Sequence, residues 1–385
     1  MSAIAPFARP LYVMLKPVGS RCNLACTYCY YREKAEVCGA APLMSEAVLE
    51  RFTREYLTAQ TQPEVVFTWH GGEPLLLPLD FYRHAVALQR RYGAGRRIEN
   101  VLQTNATLLT EAWCEFLAEQ RWLVGVSIDG TPEMHDRYRR DLRGGGSWRS
   151  VMAGIERLNR YGVAWNVMAT VNAGNVGAPR EFYRALRSLG APFIQFTPIV
   201  ERRSTCGGHR LAQPADTAAT LTAESVTPEA WGDFLCGVLD EWRRQGDVGR
   251  VFIQLIESTL SLWAGGPAGL CSQGTHCGHA AVLEANGDLY ACDHFVFPEH
   301  RLGNIMTDSL VAMMYSQQQC DFAARKMALP HTCRACRYLR LCHGDCLRTR
   351  FVTCPDDGAP QPYLCAGYRQ FFDKLLPIAS SLIAH

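Results

Sequence analysis

The amino-acid sequence predicts an α/β fold, in which a partial (β/α)6 barrel is followed by a cysteine-rich C-terminal domain. Up to residue 200, six short apolar runs alternate with longer amphipathic stretches. This is the pattern of strand–helix units around a parallel sheet. From Cys271 onward, cysteines, glycines and short turns dominate. Such a composition is typical of a segment that folds around metal centres.

The six apolar runs predict strands at residues 11–15, 65–69, 98–104, 123–128, 164–171 and 193–198. Helices are expected between them, near residues 45–60, 79–92, 110–120, 150–161 and 179–189. In a parallel sheet the functional loops follow the carboxyl ends of the strands. Residues directly after each strand are therefore the first candidates for a site.

The strand–helix pattern stops after Val200, and residues 204–227, rich in Thr, Ala and Gly, predict a linker. Thr227 and Pro228 then provide a capping hydroxyl and a proline at the first helical position, which predicts a helix over residues 230–245. We therefore predict two domains. Residues 1–227 hold the barrel and linker, and residues 228–385 hold a connecting helix and the cysteine-rich part.

Composition argues against several classes of protein. Lysine plus arginine total 39 against 37 acidic residues, and the net charge of +2 is too balanced to indicate a nucleic-acid partner or an anionic membrane surface. The first ten residues lack a signal-peptide pattern, and no run of about 18 apolar residues occurs. We expect a soluble, cytoplasmic monomer.

The chain has 17 cysteines, which in a protein without a secretory signal favour metal ligands over disulfides. Eleven of them fall into two clustered regions. The other six are scattered, and we interpret them as small buried hydrophobic residues. These six are Cys38, Cys114, Cys206, Cys236, Cys320 and Cys354.

Three cysteines, Cys22, Cys26 and Cys29, lie on one short loop after the first predicted strand. Three thiolates on such a loop suit a 4Fe-4S cluster, and because the cluster has four irons, one iron stays open. An open iron can chelate the amino and carboxylate groups of S-adenosylmethionine and release a 5′-deoxyadenosyl radical. A zinc knuckle or a buried group of cysteines is the alternative.

This triplet, with an aromatic residue before its last cysteine, resembles the signature of the radical S-adenosylmethionine superfamily. The resemblance implies that the turn after the second strand binds the methionine amine, and that Ser127 and Arg139 contact the ribose and carboxylate. The alternatives are a plain loop for the turn and a solvated basic face for Arg139. The implied cofactor-binding residues are Tyr28, Gly71, Gly72, Glu73, Ser127, Asp129, Arg139 and Val200.

Eight C-terminal cysteines make two complete sets of four ligands, which suit 4Fe-4S clusters without an open iron. Their spacing resembles the SPASM extension of peptide-modifying radical enzymes, so the resemblance implies three clusters in all. It assigns the nearer auxiliary cluster to Cys271, Cys277, Cys292 and Cys346, and the distant one to Cys333, Cys336, Cys342 and Cys365. Spacing alone would instead put residues 333–346 on one metal, and two zinc ions are the other alternative.

Asp293 directly follows Cys292, so a carboxylate lies next to a predicted cluster ligand. It could remove a proton while the cluster accepts an electron, as the oxidation of a side-chain alcohol or thiol requires. An aspartate bonded to its own turn is the alternative. The extra Cys271, the Cys–Asp pair and the motif order resemble anaerobic sulfatase-maturating enzymes over nearly the whole chain. That resemblance implies that Asp293 is the catalytic base.

This family oxidises a cysteine or serine, in a Cys/Ser-x-Pro-x-Arg segment of an unfolded sulfatase, to Cα-formylglycine. The resemblance implies this function, with a low-potential reductant such as flavodoxin or ferredoxin as a second partner. We also expect two residue pairs, Tyr30–Tyr31 and Trp69–His70, to face the cofactor or the peptide.

The sequence leaves two alternatives to this function open. A SPASM enzyme that crosslinks or epimerises a ribosomal peptide often carries an N-terminal leader-binding domain, and only 21 residues precede Cys22. A non-catalytic iron–sulfur electron carrier or zinc scaffold would explain the eight C-terminal cysteines. It would not explain the three-cysteine loop.

Overall fold

The structure is a computed structural model that describes residues 11–39, 42–204, 212–213, 215–278 and 280–383, without the side chain of Cys38. A ten-stranded sheet organises this part of the chain. Six strands pair in parallel in chain order, and their bounds differ from the predicted ones by no more than one residue. They are β1 (Tyr12–Lys16), β2 (Glu64–Trp69), β3 (Arg97–Thr104), β4 (Leu123–Ser127), β5 (Ala164–Val171) and β6 (Phe193–Pro198). The predicted α/β fold is therefore confirmed.

Helices connect these strands, as predicted. Hydroxyl side chains cap several of them, and Ser45, Thr110 and Thr131 each accept a backbone N–H of the first turn. The helices are α1 (Lys34–Cys38), α2 (Glu46–Ala59), α3 (Leu79–Tyr92), α4 (Glu111–Glu119), α5 (Pro132–Tyr138), α6 (Trp148–Arg160) and α7 (Pro179–Arg187).

The main apolar core lies between the sheet and these helices. Trp69 is fully buried in it and stacks on Trp122 with the ring centroids 5.9 Å apart. Because side chains alternate along a strand, Trp69 points to the same face of β2 as Phe67, towards Tyr82 of α3. The expectation that Trp69 faces the cofactor or the peptide is therefore wrong.

Two short strands pair at the predicted linker: β7 (Arg202–Arg203) lies just before it, and β8 (Thr220–Leu221) lies within it. Residues 205–211 and 214 of that linker lie outside the described residues. The predicted helix after it is confirmed, since α8 (Pro228–Arg244) begins at the expected proline, and the Thr227 hydroxyl accepts the N–H of Ala230.

The sheet continues beyond the six predicted strands on both sides. One short strand, β9 (Phe252–Ile253), pairs with β6, and β10 (Ala280–Glu284) pairs in parallel with β1. Two antiparallel strands follow at that edge, β11 (Asp288–Tyr290) and β12 (Arg301–Asn304). The sequence did not predict this extension, because cysteines and turns dominate there. The sheet thus runs through both predicted domains, 1–227 and 228–385.

The remaining elements surround the C-terminal cysteines. They are α9 (Gln254–Trp263), α10 (Leu310–Met314), α11 (Gln317–Ala324), α12 (His331–Arg334), α13 (Leu339–Cys342), β13 (Arg350–Thr353), β14 (Pro360–Pro362), α14 (Cys365–Leu375) and α15 (Ala379–Ile383). Among the described helices, none has both the length and the apolar character that crossing a membrane requires.

The scattered cysteines only partly follow the interpretation as buried hydrophobic residues. Cys114 and Cys354 are buried and Cys236 is half-buried, but Cys320 is exposed, so the interpretation is wrong there. Cys206 and the side chain of Cys38 lie outside the described part of the chain.

Helix α14 packs closely on α8 through two glycines. A Cβ on Gly367 would lie 2.2 Å from the carbonyl oxygen of Pro228 and 2.8 Å from the backbone nitrogen of Gly232. A contact this close leaves no room for a side chain on Gly367. Because α14 begins at Cys365, this contact fixes a predicted cluster ligand relative to α8.

We expect Gly367→Ala to lower the free energy of unfolding by about 1–3 kcal/mol, because the added methyl group forces the two helices apart. Circular dichroism during heating measures the effect as a lower unfolding temperature. The neighbouring exposed residue offers a control, and Ala366→Ser should unfold at the parental temperature. Equal unfolding temperatures for all three proteins would contradict the close helix contact.

Candidate active site

The first three predicted ligands lie on the loop after β1: Cys22, Cys26 and Cys29. Two backbone hydrogen bonds hold this loop against the end of α5. Ala25 N–H donates to the carbonyl of Arg140 (2.6 Å), and Thr27 N–H donates to that of Tyr138 (3.1 Å). Burial raises the pKa of Cys22 to about 12 and that of Cys26 to about 11. These thiols therefore have to release protons when they bind iron.

The turn of Gly71, Gly72 and Glu73 packs directly against the cysteine loop. Gly72 N–H donates to the carbonyl of Gly19 (2.8 Å), and a Cβ on Gly72 would lie 1.7 Å from the carbonyl oxygen of Arg21. Only glycine permits this approach. This turn therefore fixes the start of the cysteine loop, and its binding of the methionine amine stays a prediction.

Glu73 is fully buried, and its carboxylate accepts three hydrogen bonds. The donors are Leu75 N–H (3.0 Å), the Thr104 hydroxyl (2.7 Å) and Asn105 N–H (2.8 Å). Burial raises the pKa of Glu73 to about 7, although these donors oppose the rise. Glu73 thus joins the ends of β2 and β3, and its contact with the methionine amine stays a prediction.

Asp129 and Arg139 form a buried ion pair after β4. The guanidinium binds in a bidentate manner, with Nε 2.8 Å from Oδ2 and Nη2 3.1 Å from Oδ1. The hydroxyl of Tyr28 also donates to Oδ2, and Thr170 N–H donates to Oδ1 (2.8 Å). Arg139 is only 7% exposed, so the alternative of a solvated basic face is wrong for this residue.

The other predicted cofactor residues also lie at strand ends. The Ser127 hydroxyl accepts a hydrogen bond from Gln103 Nε2 (2.9 Å) at the end of β4, and Val200 is buried shortly after β6. The predicted cofactor residues thus lie at or just after the carboxyl ends of β1, β2, β4 and β6, on the same end of the parallel sheet. This is where ligands bind in parallel sheets.

The structure brings together the predicted ligands of the nearer auxiliary cluster: Cys271, Cys277, Cys292 and Cys346. Burial and then the neighbouring Cys346 and Cys271 raise the pKa of Cys292. Burial raises the pKa of Cys346 to about 12, with further contributions that include Cys271 and Cys277. Cys346 therefore lies closer to this set than to the cavity of the other four cysteines, and ligation of a cluster by these residues stays a prediction.

A cavity of about 290 Å³ is lined by the other four predicted ligands: Cys333, Cys336, Cys342 and Cys365. Since a water molecule takes up about 30 Å³ of liquid volume, this space fits a group much larger than one metal ion. Four cysteine sulfurs around it are the donors that a 4Fe-4S cluster takes. These residues therefore fit the distant cluster, and their ligation stays a prediction.

The carboxylate of Asp293 lies in a group of charged and aromatic side chains. Lys16 Nζ lies 2.8 Å from Oδ1, and the Tyr30 hydroxyl donates to Oδ2 (2.7 Å). Burial works to raise the pKa of Asp293, but the ammonium group of Lys16 outweighs it and holds the pKa well below its usual range. The carboxylate is therefore ionised, as a general base has to be, although the lowered pKa also makes it a weaker proton acceptor. Its contacts are not those of an aspartate bonded to its own turn.

Sequence reasoning missed Lys16 and Glu284. Lys16 is fully buried, and its Nζ lies 3.9 Å from the ring centroid of Tyr31, whose hydroxyl donates to Glu284. Lys16 Nζ also lies 3.2 Å from Nδ1 of His70. A lysine at the end of an apolar strand was a usable signal for the first residue. No local signal marks Glu284, because the pairing of β10 with β1 places it there.

A second ion pair, between Arg348 and Glu201, was also missed. The Arg348 guanidinium lies 4.2 Å from the ring centroid of Tyr30. Tyr30 is thus held between this cation and the Asp293 carboxylate. Tyr30, Tyr31 and His70 thus lie around Asp293 and Lys16, and the expectation that they face the cofactor or the peptide stays a prediction.

Comparison with protein families finds two matches. Residues 17–186 match the Radical SAM superfamily, and residues 271–337 match an iron–sulfur cluster-binding domain called SPASM. These ranges contain the cysteine loop and the start of the C-terminal cysteine region. The interpretation of both motifs is confirmed.

Comparison with individual proteins covers almost the whole chain. The chain is 50% identical to the serine-type anaerobic sulfatase-maturating enzyme of Bacteroides thetaiotaomicron, over 97% of this chain and 91% of the relative. It is 29% identical to the cysteine-type enzyme of Clostridium novyi, over 95% of both chains. The solved structure of native anSMEcpe with bound AdoMet and Cp18Cys peptide matches with a TM-score of 0.86 and 28% identity, over 97% of this chain and 99% of that one. The chain belongs to the anaerobic sulfatase-maturating enzymes of the radical S-adenosylmethionine superfamily.

Proposed function

We propose that the chain oxidises a side chain in a sulfatase to Cα-formylglycine without oxygen. One contact carries this conclusion. Tyr30 directly follows Cys29 of the cofactor loop, and its hydroxyl binds the carboxylate of Asp293. The side chain of Tyr30 thus connects the cysteine loop, the proposed site of S-adenosylmethionine, to Asp293, the proposed base next to Cys292. The chain binds this cofactor and three 4Fe-4S clusters, as its family does.

When bound, the cofactor and the clusters supply a 5′-deoxyadenosyl radical, which removes a β-hydrogen, and a site for the electron left behind. Asp293 accepts the proton of the substrate hydroxyl or thiol. Lys16 and Tyr30 hold its two oxygens, so the carboxylate keeps a fixed orientation before the proton arrives. A serine that loses these two hydrogen atoms and no other group is already an aldehyde. A cysteine becomes a thioaldehyde, which water hydrolyses.

We infer that serine is the residue that this chain oxidises. The support comes from the comparisons, since identity is 50% with a serine-type relative and 29% with a cysteine-type relative. The contacts around Asp293 serve either substrate, because both lose one proton to a base. The substrate segment is expected to be Ser-x-Pro-x-Arg in an unfolded sulfatase.

The other partners are proposals as well. Generation of the radical needs one electron of low potential, which a flavodoxin or a ferredoxin would supply. We propose that the chain works as a monomer in the cytoplasm, where thiol ligands stay reduced. Size-exclusion chromatography with light scattering tests the monomer. A crosslinking or epimerising enzyme is not supported, because the relatives that match nearly the full chain mature sulfatases.

The cysteine loop gives the first prediction for this function. Replacing Cys22, Cys26 and Cys29 by alanine should abolish the cleavage of S-adenosylmethionine to 5′-deoxyadenosine. Iron should fall from about twelve to about eight atoms per chain, because the two C-terminal sets remain. Chromatography of the nucleoside and iron analysis measure the two effects. Continued 5′-deoxyadenosine production would rule out this loop as the cofactor site.

A second prediction concerns the role of Asp293 as the base. Asp293→Asn keeps the shape of the side chain and removes the base, so formylglycine should form at least about 100-fold more slowly while S-adenosylmethionine is still cleaved. Mass spectrometry of a substrate peptide measures the product. Asp288→Asn on β11 is the matched control and should keep the parental rate. If Asp293→Asn also reaches that rate, the base lies elsewhere.

A third prediction concerns the choice between a serine and a cysteine substrate. Two peptides that differ only in serine or cysteine at the target position should both bind, and the serine peptide should give formylglycine with the higher kcat/KM. Mass spectrometry separates the products of the two peptides in one reaction mixture. Exclusive conversion of the cysteine peptide would contradict the proposed serine substrate, although not the general function.

A further inference from the structure

Two basic side chains are buried in the cysteine-rich part of the chain, away from Asp293. Lys326 is 1% exposed and Arg350 is 4% exposed. Burying a charge is costly unless other groups compensate for it. Within the described part of the chain, neither side chain has a carboxylate within ion-pair distance, and both bind backbone carbonyls. The buried carboxylate of Asp345 interacts with both charges from farther away and offsets part of them. Neither residue of this cation pair, Lys326 and Arg350, takes part in the proposed reaction.

Lys326 lies between two predicted ligands of the nearer cluster. Its Nζ donates to the carbonyl of Ser272 (2.7 Å), which follows Cys271. It also donates to the carbonyl of Asp345, which precedes Cys346. The ammonium group is therefore fixed by the backbone on both sides of this set.

Arg350 lies on the connection between the two auxiliary sets. Only three residues separate Cys342 of the distant set from Cys346 of the nearer set. The guanidinium binds this connection, with Nε donating to Gly344 O (2.5 Å) and Nη2 donating to His343 O (2.8 Å). A third bond, from Nη1 to the carbonyl of Lys326 (3.0 Å), joins the two cations through the backbone.

The position of these charges matters for electron transfer. Four thiolates leave a bound 4Fe-4S cluster with a net negative charge, and reduction adds another negative charge. Two such groups so close together repel each other, and a buried environment screens the repulsion poorly. A nearby fixed cation stabilises the reduced cluster more than the oxidised one. Net charge around a cluster is one of the factors that set its potential.

We propose that the cation pair Lys326 and Arg350 raises the reduction potentials of both auxiliary clusters. It thereby allows two negatively charged clusters to be held side by side, one of them ready to receive an electron. The consequence for catalysis, easier acceptance of the substrate electron, rests on the proposed function. The effect on the potentials does not, because it is a property of the protein without substrate.

The test is a redox titration followed by electron paramagnetic resonance. It uses the full chain with Cys22, Cys26 and Cys29 replaced by alanine, so that only the auxiliary clusters contribute to the signal. Lys326→Gln keeps an amide donor for the carbonyls and removes the charge. It should make reduction of the nearer cluster at least tenfold less favourable, a fall in potential of 59 mV or more. Arg350→Gln should lower the potentials of both clusters.

Charge-preserving variants separate charge from structure. Lys326→Arg and Arg350→Lys should keep potentials close to the parental ones. A control is Lys374→Gln on α14, which removes a partly exposed charge paired with Asp240. It should leave both potentials unchanged.

Each result decides the question. Full iron content with unchanged potentials in both glutamine variants would overturn the proposal. If the glutamine variants lose auxiliary iron while the charge-preserving variants keep it, the cations are needed to hold the clusters, which supports the proposal. If all four variants lose iron alike, the hydrogen bonds to the loops are what matters, and the proposal fails. Because no peptide is present, these results are independent of whether the chain oxidises a sulfatase.

Discussion

The active site depends on the parallel pairing of β10 with β1, which brings together parts of the chain more than 260 residues apart. This pairing places Glu284 opposite Lys16 and carries Asp293 to the edge where the cysteine loop begins. The Lys16–Asp293 ion pair forms in a buried place, where either charge alone would be strongly unfavourable. Each charge therefore compensates for the burial of the other, and the ion pair fixes Asp293 relative to the cysteine loop.

Several predicted functional side chains near the carboxyl ends of the parallel strands are buried and paired. Glu73 and Arg139 are both ionisable, and each is held by several hydrogen bonds before any ligand binds. Fixed polar groups cost little reorganisation when a reaction occurs, which is how preorganised sites favour catalysis. Gly72 adds to this rigidity, since the turn and the cysteine loop touch at backbone distance.

Much of the fold could be predicted because its information is local. Apolar runs between amphipathic stretches located six strands to within one residue, and cysteine spacing marked the two cysteine-rich regions. Contacts between distant segments could not be predicted in this way. The extension β10–β12, the partners of Lys16 and the inward burial of Trp69 all depend on which strands pair and which face of a strand meets a helix. Exposed Cys320 shows that composition alone does not fix burial.

The buried lysines near Cys271, Cys277, Cys292 and Cys346 lie where negative charges are expected to be close together. A general base has to be ionised, yet Asp293 adjoins Cys292, one of four predicted ligands whose thiols would become negatively charged on binding iron. Negative charges so close together need cations nearby. Lys16 meets this need on the side of the base, at 2.8 Å from the carboxylate, and Lys326 lies between Cys271 and Cys346 on the side of the cluster ligands. The proposed proton acceptor and the proposed electron acceptor can therefore be neighbours, because a buried lysine lies beside each of them.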